Sequence, residues 1–346
     1  MTEVLTPVPR DLWRSIHRSD PMALTDQSPE WVDAICAEGR HEDVSRLYEM
    51  ADGRQIVMPL VRCRGAAGLG GRVLSPPEAW GMGGPIGHGV DRGVIDMIMT
   101  DLRSLGALRI GIRPDPVTAP LWTHLSGPGM ITIPRFAHVI DLEGGIEAVE
   151  SRFTKSTHKN INKAVRRGVT VELDHSGALL PVHYEMYMRS VERWSERQHE
   201  PLALARWRAR RRDPLSKLQT MADHLGEGFC HFVAYHEGRH VASAIVLLSP
   251  GSTAHVTRGA MHRELVAPVA AGQLLDATAI RYAVQEGCTR FHMGESGTSS
   301  SLAKFKEGFG AVGHHYAEYR FERLPITRVD RGMRAAIKRT IGFKDA

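Results

Sequence analysis

The fold class of this sequence is decided by two stretches, LRSLGALRIGIRPD at Leu102–Asp115 and YAVQEGCTRFHMGE at Tyr282–Glu295. Each stretch begins as the end of a helix, reaches a glycine (Gly106 or Gly287), and continues as a short apolar strand that leads into a loop. Glycine ends helices well because it adopts the left-handed conformation at little steric cost. The two stretches therefore predict two copies of one α/β unit.

The segments around these stretches follow the same order in both halves of the chain. Each half has two strand-like runs joined by a turn that contains a glycine, Gly53 or Gly238. The sequence predicts strands at 44–50, 55–63, 107–112, 137–142, 229–235, 240–248, 253–260 and 289–293, and helices at 92–105 and 271–286. A turn marked by Pro and Gly is expected before the second of these helices. The similar offsets of the paired glycines favour duplication over the alternative, a chance similarity of two α/β stretches.

This order of elements predicts an α/β fold with mixed sheets, because an antiparallel hairpin is followed by a helix and another strand. A chain of 346 residues is long for one ordinary domain and comfortable for two. The joint is expected at Glu143-Gly144-Gly145, directly after the strand at 137–142. We therefore expect two tandem domains, at 1–145 and 146–346.

The composition is that of a globular protein, with 42% hydrophobic and 24% charged residues. The sequence has no apolar run long enough to span a bilayer and no signal-peptide pattern at its start, which predicts a cytoplasmic location without an integral membrane segment. The four cysteines are far apart and form no CxxC pair, which favours reduced, buried thiols. His236 and His240 are separated by a predicted hairpin turn and HExxH is absent, so no metal site is expected.

A basic segment between Ser151 and Gly168 is the most informative local feature. On a predicted helix, one arc carries the basic side chains Arg152, Lys155, Lys159, Lys163, Arg166 and Arg167. The opposite arc is predicted to pack, and it carries Phe153, Thr157, Ile161, Ala164, Val165 and Gly168. No acidic residue within the segment neutralises the basic arc. It is therefore either a phosphate-binding surface for RNA or a nucleotide, or a solvated helix face.

A second basic cluster lies at 206–212, where five arginines are interleaved with Trp207 and Ala209. Arginine makes bidentate contacts to phosphate, and tryptophan stacks on bases. Arg208 and Arg211 are thus candidate RNA contacts. The alternative is an exposed helix end with many arginines.

The third segment, at 291–310, consists of a strand, a loop rich in Gly and Ser, and a short helix. Backbone N–H groups in such a loop are available to a carbonyl or phosphate oxygen, which makes Ser296 and Gly297 candidate substrate contacts. Lys306 on the helix can stabilise the anion that develops during acyl transfer, and Glu295 at the strand end can serve as a base for an amine. The alternative is an ordinary strand–loop–helix connection.

Together these segments resemble the FemABX family of the GNAT superfamily. The basic segment is similar to that family's K-x-R-x-x-I-x-K-A-x-x-x-G-V helix. The matching positions are Ile161, Lys163, Ala164, Gly168 and Val169. The family's arginine is replaced by His158 or Lys159. A second match, Phe305-Lys306-Glu-Gly-Phe309-Gly310, resembles the family's F-K-x-x-F-G ending.

The resemblance implies two tandem GNAT-like domains and the transfer of an aminoacyl group from aminoacyl-tRNA to an amine. It also implies that Lys306 lies beside the reacting carbonyl. The acceptor would be a small metabolite or a peptidoglycan precursor, and no cofactor is implied beyond the donor substrate. The amino acid, the acceptor and the oligomeric state stay open.

Two other functions remain as alternatives. A GNAT N-acyltransferase would use an acyl-CoA, but only Gly272 of the segment 268–273 fits the loop with which such enzymes bind the pyrophosphate. A glycine run at 83–87 is more typical of a surface turn. The basic clusters also fit a non-catalytic RNA-binding protein. The sequence contains neither a GxSxG nor a P-loop motif, which favours direct attack by the amine over a covalent intermediate.

Overall fold

The computed structural model of the chain describes residues 3–64, 71–297 and 299–344. Its helices in this part of the chain are α1 (Arg10–Ser19), α2 (Pro29–Ala37), α3 (Arg92–Ser104), α4 (Gly145–Ser151), α5 (Lys155–Arg166), α6 (Leu180–Gln198), α7 (Leu202–Arg212), α8 (Leu215–Leu225), α9 (Arg263–Val269), α10 (Ala271–Gln285), α11 (Ser300–Glu307) and α12 (Ile326–Thr340). Its strands are β1 (Glu3–Leu5), β2 (His41–Asp43), β3 (Arg46–Glu49), β4 (Gln55–Met58), β5 (Val61–Cys63), β6 (Arg72–Ser75), β7 (Arg109–Ile112), β8 (Met130–Asp141), β9 (Thr170–Asp174), β10 (Phe229–His236), β11 (Arg239–Ser249), β12 (Thr253–Met261), β13 (Arg290–Glu295) and β14 (Val312–Glu322).

The first of two compact units runs up to Arg152 and also contains Leu247–His255 and Ala283–Leu324. Its larger sheet has the order β2-β5-β6-β7-β14-β8-β13, with the first residues of β12 beside β13. A smaller sheet has the order β1-β3-β4. The apolar face of α3 packs on this unit's core, where Ile98 and Leu102 of the helix join Ile110 and Ile112 of β7. Burying these side chains is the main source of stability for this unit.

Two parallel strand pairs confirm that both halves of the chain contain the predicted α/β unit. β6 and β7 are parallel and are connected through α3. β12 and β13 are parallel over their first residues and are connected through α10. The other pairings of β7, β8 and β13 are antiparallel. The fold is therefore α/β with mixed sheets, as the sequence predicts.

The second compact unit consists of Phe153–Val246, Val256–Tyr282 and the chain from Pro325 onward. β9 pairs antiparallel with β10, and β11 lies next to β10 in the sheet. α6 is fixed in register by a hydrogen bond between His183 Nδ1 and Ser243 Oγ of 2.8 Å, and Met186 packs in a cluster with Ala260 of β12.

The two compact units are not the contiguous halves of the sequence. β13 and β14 belong to the first unit because they pair with β8, and β14 also pairs with β7. Such long-range pairing is not visible in local patterns, which show only where one α/β copy ends and the next begins. The boundary between domains 1–145 and 146–346 thus stays a prediction about the duplicated copies.

Three sequence-based predictions need correction. The strand at 55–63 is two strands, β4 and β5, because Pro59 between them has no N–H to donate to a ladder. The basic helix begins at Lys155 rather than Arg152, because the Thr154 side chain caps it by accepting a hydrogen bond from the Thr157 N–H. The turn expected before α10 is instead the helix α9.

Among the described residues, no helix combines the length and the apolar character that are needed to cross a bilayer.

Buried charges stabilise the second unit at the end of α7. Asp213 accepts hydrogen bonds from Lys217 Nζ at 2.9 Å and from Arg258 Nη2 at 2.6 Å, and the Lys217 side chain is only 2% exposed. Burial alone would raise the pKa of Asp213, but Arg258 and Lys217 hold this pKa well below its usual range. The carboxylate therefore stays charged between the buried Lys217 and the partly buried Arg258.

We expect Asp213→Ala to lower the free energy of unfolding by about 3–5 kcal/mol, because it leaves the buried Lys217 and the partly buried Arg258 without their shared carboxylate. Urea unfolding of the full chain measures the loss. The control is Glu192→Ala, which removes a half-exposed ion pair with Arg206 and should change stability by less than about 1 kcal/mol. Equal losses in the two variants would contradict this account of the buried charges.

Candidate functional site

The last residues of β13, from which the following loop starts, are held by a lysine of the neighbouring helix α11. Lys306 Nζ donates hydrogen bonds of 2.8 Å to the carbonyl oxygens of both Gly294 and Glu295. The pairing of β13 with β8 is irregular between His292 and Gly294, and Gly294 has a φ of 74°. This β-bulge turns consecutive carbonyls toward the ammonium group. Lys306 is only 5% exposed, whereas Lys304 on the same helix is exposed, so the two lysines lie on different faces of α11.

The Glu295 carboxylate is held by two donors from neighbouring strands. Tyr316 Oη on β14 donates a hydrogen bond of 2.6 Å to Glu295 Oε1. Arg135 Nη1 on β8 lies 3.0 Å from Glu295 Oε2. Burial raises the pKa of Tyr316, and the neighbouring Glu295 charge raises it further, so the phenol remains a hydrogen-bond donor. The carboxylate is therefore fixed in orientation and remains one-third exposed at its side chain.

Ion pairs with neighbouring charged side chains hold Arg135 in place. Arg135 Nη2 lies 2.7 Å from Glu318 Oε2, and Glu318 also pairs with Arg113 and Arg320. Burial would raise the pKa of Glu318, but the surrounding arginines, Arg113 foremost, bring this pKa to about 2. Glu318 therefore keeps its charge at neutral pH and anchors the guanidinium that holds Glu295.

A buried histidine contacts the loop from the other side. Ser296 Oγ lies 3.0 Å from His138 Nδ1, and the Ser296 N–H donates to the Phe136 carbonyl oxygen. His138 Nε2 lies 3.8 Å from a carboxylate oxygen of Glu307. Burial lowers the pKa of His138, and the Lys306 charge lowers it further, which favours the neutral imidazole. Gly297 follows Ser296 with a φ of 53°.

The structure therefore brings four of the predicted site residues together around one loop: Glu295, Ser296 and Gly297, and Lys306 from the neighbouring helix α11. Their partners Arg135, His138 and Tyr316 were not among the predicted site residues. These side chains are contributed by β8 and β14, and no local sequence signal showed that the two strands flank the loop.

The predicted RNA contacts lie in the second unit. On α5, Lys155, Lys159, Arg166 and Arg167 are exposed and Lys163 is half-buried, while Thr157, Ile161 and Ala164 are buried. The basic arc is therefore accessible, as the periodicity predicts. Val165 was expected to pack but is 58% exposed, because it lies at the edge of the buried face. Gly168 was expected on the same arc but is exposed, because α5 ends at Arg166.

The second predicted cluster forms the C-terminal part of α7. Arg208 Nη2 lies 2.7 Å from Glu200 Oε2, a carboxylate whose side chain is only 2% exposed. The Arg211 guanidinium lies over the Trp207 ring at 5.6 Å, and this ring is 56% exposed. Arg208 is thus paired within the protein, whereas the Arg211–Trp207 pair presents a cation and an aromatic face to solvent.

A cavity of about 460 Å³ lies within the first unit. The glycine run at 83–87, which looks like a surface turn in the sequence, lines this cavity together with Trp122 and Asp115. Asp115 is 2% exposed, and its Oδ2 has no hydrogen-bond partner among the described residues, the nearest cation being Arg290 Nη1 at 3.5 Å. Burial raises the pKa of Asp115. A nearly buried carboxylate oxygen at a cavity is a group that can receive a hydrogen bond from a polar ligand.

One set of side chains in the described part of the chain has the composition of a metal site. Glu185, His240 and His262 of the second unit offer ligand atoms that all lie within 4.8 Å of one another. Glu185 Oε1 is, however, already 3.0 Å from Arg189 Nη2, and this cation opposes a bound metal ion.

Comparisons with known proteins give information on the fold and on the second half of the chain. Residues 151–307 match the family model described as an acetyltransferase (GNAT) domain. Among solved structures, FemX superposes with a TM-score of 0.67 and 12% identity, covering 92% of this chain and 97% of FemX. A conserved protein of unknown function from Bacteroides thetaiotaomicron gives a TM-score of 0.56 at 10% identity, covering 92% of this chain and 99% of its own.

A third similar structure is the C-terminal domain of a protein from Agrobacterium fabrum that is named as a lysylphosphatidylglycerol synthetase. It gives a TM-score of 0.51 at 12% identity, and the match covers 96% of each chain. No curated protein matches the sequence. The chain therefore has the double GNAT fold that FemX also has, and its residues 151–307 match the model of a GNAT domain.

Proposed function

We propose that this protein transfers an aminoacyl group from aminoacyl-tRNA to an amine and so forms an amide bond. The observation that carries the proposal is the loop at Gly294–Gly297, where a buried ammonium group, a fixed carboxylate and a buried histidine surround a strand end. Acyl transfer from an already activated ester requires mainly alignment, removal of a proton and stabilisation of the oxyanion. The residues around this loop can supply all three.

The proposed reaction proceeds by direct attack of the amine. The nitrogen lone pair forms a bond to the ester carbonyl carbon, and the carbonyl oxygen becomes an oxyanion near the positive charge of Lys306. The attacking nitrogen loses its proton to the Glu295 carboxylate. The bond between the carbonyl carbon and the ribose oxygen then breaks, and that oxygen takes up a proton as the amide forms. Arg135 and Tyr316 keep the carboxylate in one orientation throughout.

The RNA part of the donor is proposed to bind along α5. Its exposed lysines and arginines form a continuous basic arc without an acidic residue, and phosphate contacts of this kind supply most of the affinity for a nucleic acid. The Arg211–Trp207 pair on α7 supports a further contact, since an exposed aromatic ring can stack on a base.

The cavity next to Asp115 is proposed to receive the acceptor. Its volume of about 460 Å³ suits a small molecule or the end of a larger one. The Asp115 carboxylate would accept a hydrogen bond from the acceptor's amine or hydroxyl group. A small metabolite and a peptidoglycan precursor both carry such groups.

An acyl-CoA is the alternative donor, and one observation disfavours it. GNAT enzymes that use CoA bind its pyrophosphate with backbone N–H groups of a glycine-containing loop before a helix. Here the preceding segment is itself the helix α9, and Gly272 lies in the first turn of α10. In a helix only the first four N–H groups lack a carbonyl partner, so this segment offers a pyrophosphate only the N–H groups at the starts of α9 and α10 rather than those of a whole loop.

We expect Lys306→Ala to lower kcat by about 10²–10³-fold, the loss typical of removing one donor to an oxyanion. Because the positive charge acts most strongly on the oxyanion, the loss should fall on kcat more than on KM. The measurement is steady-state turnover with charged tRNA, alongside the melting temperature to separate lost activity from lost folding.

Lys304→Ala is the matched control for this prediction, since Lys304 is a lysine of the same helix on the exposed face. Its kcat should stay near that of the native protein. A folded Lys306→Ala variant with near-normal kcat would show that Lys306 does not stabilise the oxyanion.

We expect the double variant Lys159→Glu/Lys163→Glu to weaken tRNA binding and to flatten its dependence on salt, by about one unit of slope for each lost phosphate contact. The fold should be retained, since neither side chain is fully buried. The measurement is the affinity for tRNA over a range of salt concentrations.

The control is Arg18→Glu/Arg40→Glu, which makes the same change in net charge at two exposed positions of the first unit. If tRNA binding by the α5 variant and by the native protein has the same salt dependence, α5 does not contact the RNA. If the salt dependence of tRNA binding is reduced equally in the α5 variant and in the control variant, the effect comes from net charge and not from contacts of α5.

A further inference from the structure

The helix α12 is almost entirely exposed. Its one buried residue is Thr327, and every residue from 331 to 340 is exposed. Val329, Met333 and Ile337 are 54%, 56% and 54% exposed. A helix of 15 residues is marginal in water unless its apolar face is buried. The described residues of this chain leave that face uncovered.

The side chains of α12 are sharply divided by character. At 100° per residue, Val329, Met333 and Ile337 fall within an arc of about 80°. The opposite side of the helix carries the basic residues Arg328, Arg331, Arg334, Lys338 and Arg339. Asp330 is the helix's one acidic residue. An apolar stripe opposite a basic face is the pattern of helices that lie in the interface of a membrane.

We propose that α12 binds the surface of an anionic lipid bilayer. Val329, Met333 and Ile337 would enter the boundary between headgroups and acyl chains, and the basic residues would remain among the lipid phosphates. A bilayer surface would bury the apolar stripe and would also neutralise the basic face. RNA would neutralise the basic face but leave the apolar stripe in water. A second copy of α12 could cover the stripe but would bring two strongly basic helices together. The inference does not depend on the acyl donor, because no residue of α12 belongs to the loop at Gly294–Gly297.

The test is sedimentation of the full chain with lipid vesicles. One set of vesicles is phosphatidylcholine alone, and the other contains about 30% phosphatidylglycerol to give an anionic surface. The native protein should bind the anionic vesicles and should be released as salt is added. Met333→Glu should weaken this binding at least about tenfold, because it places a charge where an apolar side chain is inserted. Met261→Glu is the matched control, an exposed methionine outside α12, and should bind as the native protein does.

The basic face is tested separately with Arg331→Gln/Arg334→Gln. Each removed charge near an anionic surface should weaken binding about fivefold, and the effect should be absent on phosphatidylcholine alone. Native protein that binds neither kind of vesicle would overturn the proposal. Equal binding by Met333→Glu and Met261→Glu would also overturn it. A further outcome is that the native protein binds no vesicles but associates with itself. If Met333→Glu abolishes that self-association, the apolar stripe is a contact surface for a second copy of the chain, and the proposal is overturned.

Discussion

The hydrogen bonds from the Lys306 ammonium group to the carbonyl oxygens of Gly294 and Glu295 hold the segment on which the candidate site depends. A buried ammonium group is stable only with close polar partners, and the β-bulge at the end of β13 supplies two of them. The same constraint sets the direction of the Glu295 side chain, which Tyr316 and Arg135 then hold from the neighbouring strands. A positive charge from α11 and a carboxylate at the end of β13 are thereby fixed beside one short loop, which suits the proposed amide formation from an activated ester.

The sequence predicted the elements of the fold better than their pairing. The helix-stop glycines Gly106 and Gly287 indicated two α/β copies, and the parallel pairs β6–β7 and β12–β13 confirm them. The F-K-x-x-F-G resemblance pointed to Lys306, and the structure brings it to the predicted loop. The partners on β8 and β14 could not be predicted, because strand pairing over such a distance leaves no periodic signal in a single sequence. The packing of α5 was predicted from its periodicity except at Val165, which lies where the buried and exposed arcs meet.

Two parts of the molecule carry positive charge in different chemical settings. The arc on α5 lies opposite a packed face, so this helix presents mainly basic and polar side chains to a ligand, and the proposed phosphates would pair with the basic ones. The basic residues of α12 lie opposite an exposed apolar stripe, and the proposed lipid surface offers this helix both phosphates and an apolar phase. Charge alone does not distinguish the two, whereas the burial of the opposite face does.

The most direct test of aminoacyl transfer is a comparison of donors with the full chain. The protein is incubated with a set of amine acceptors and either a pool of charged tRNA or acetyl-CoA, and amide products are identified by mass spectrometry. The proposed function predicts products from charged tRNA that disappear when RNase is added first, and none from acetyl-CoA. An amide formed from acetyl-CoA and unaffected by RNase would contradict it.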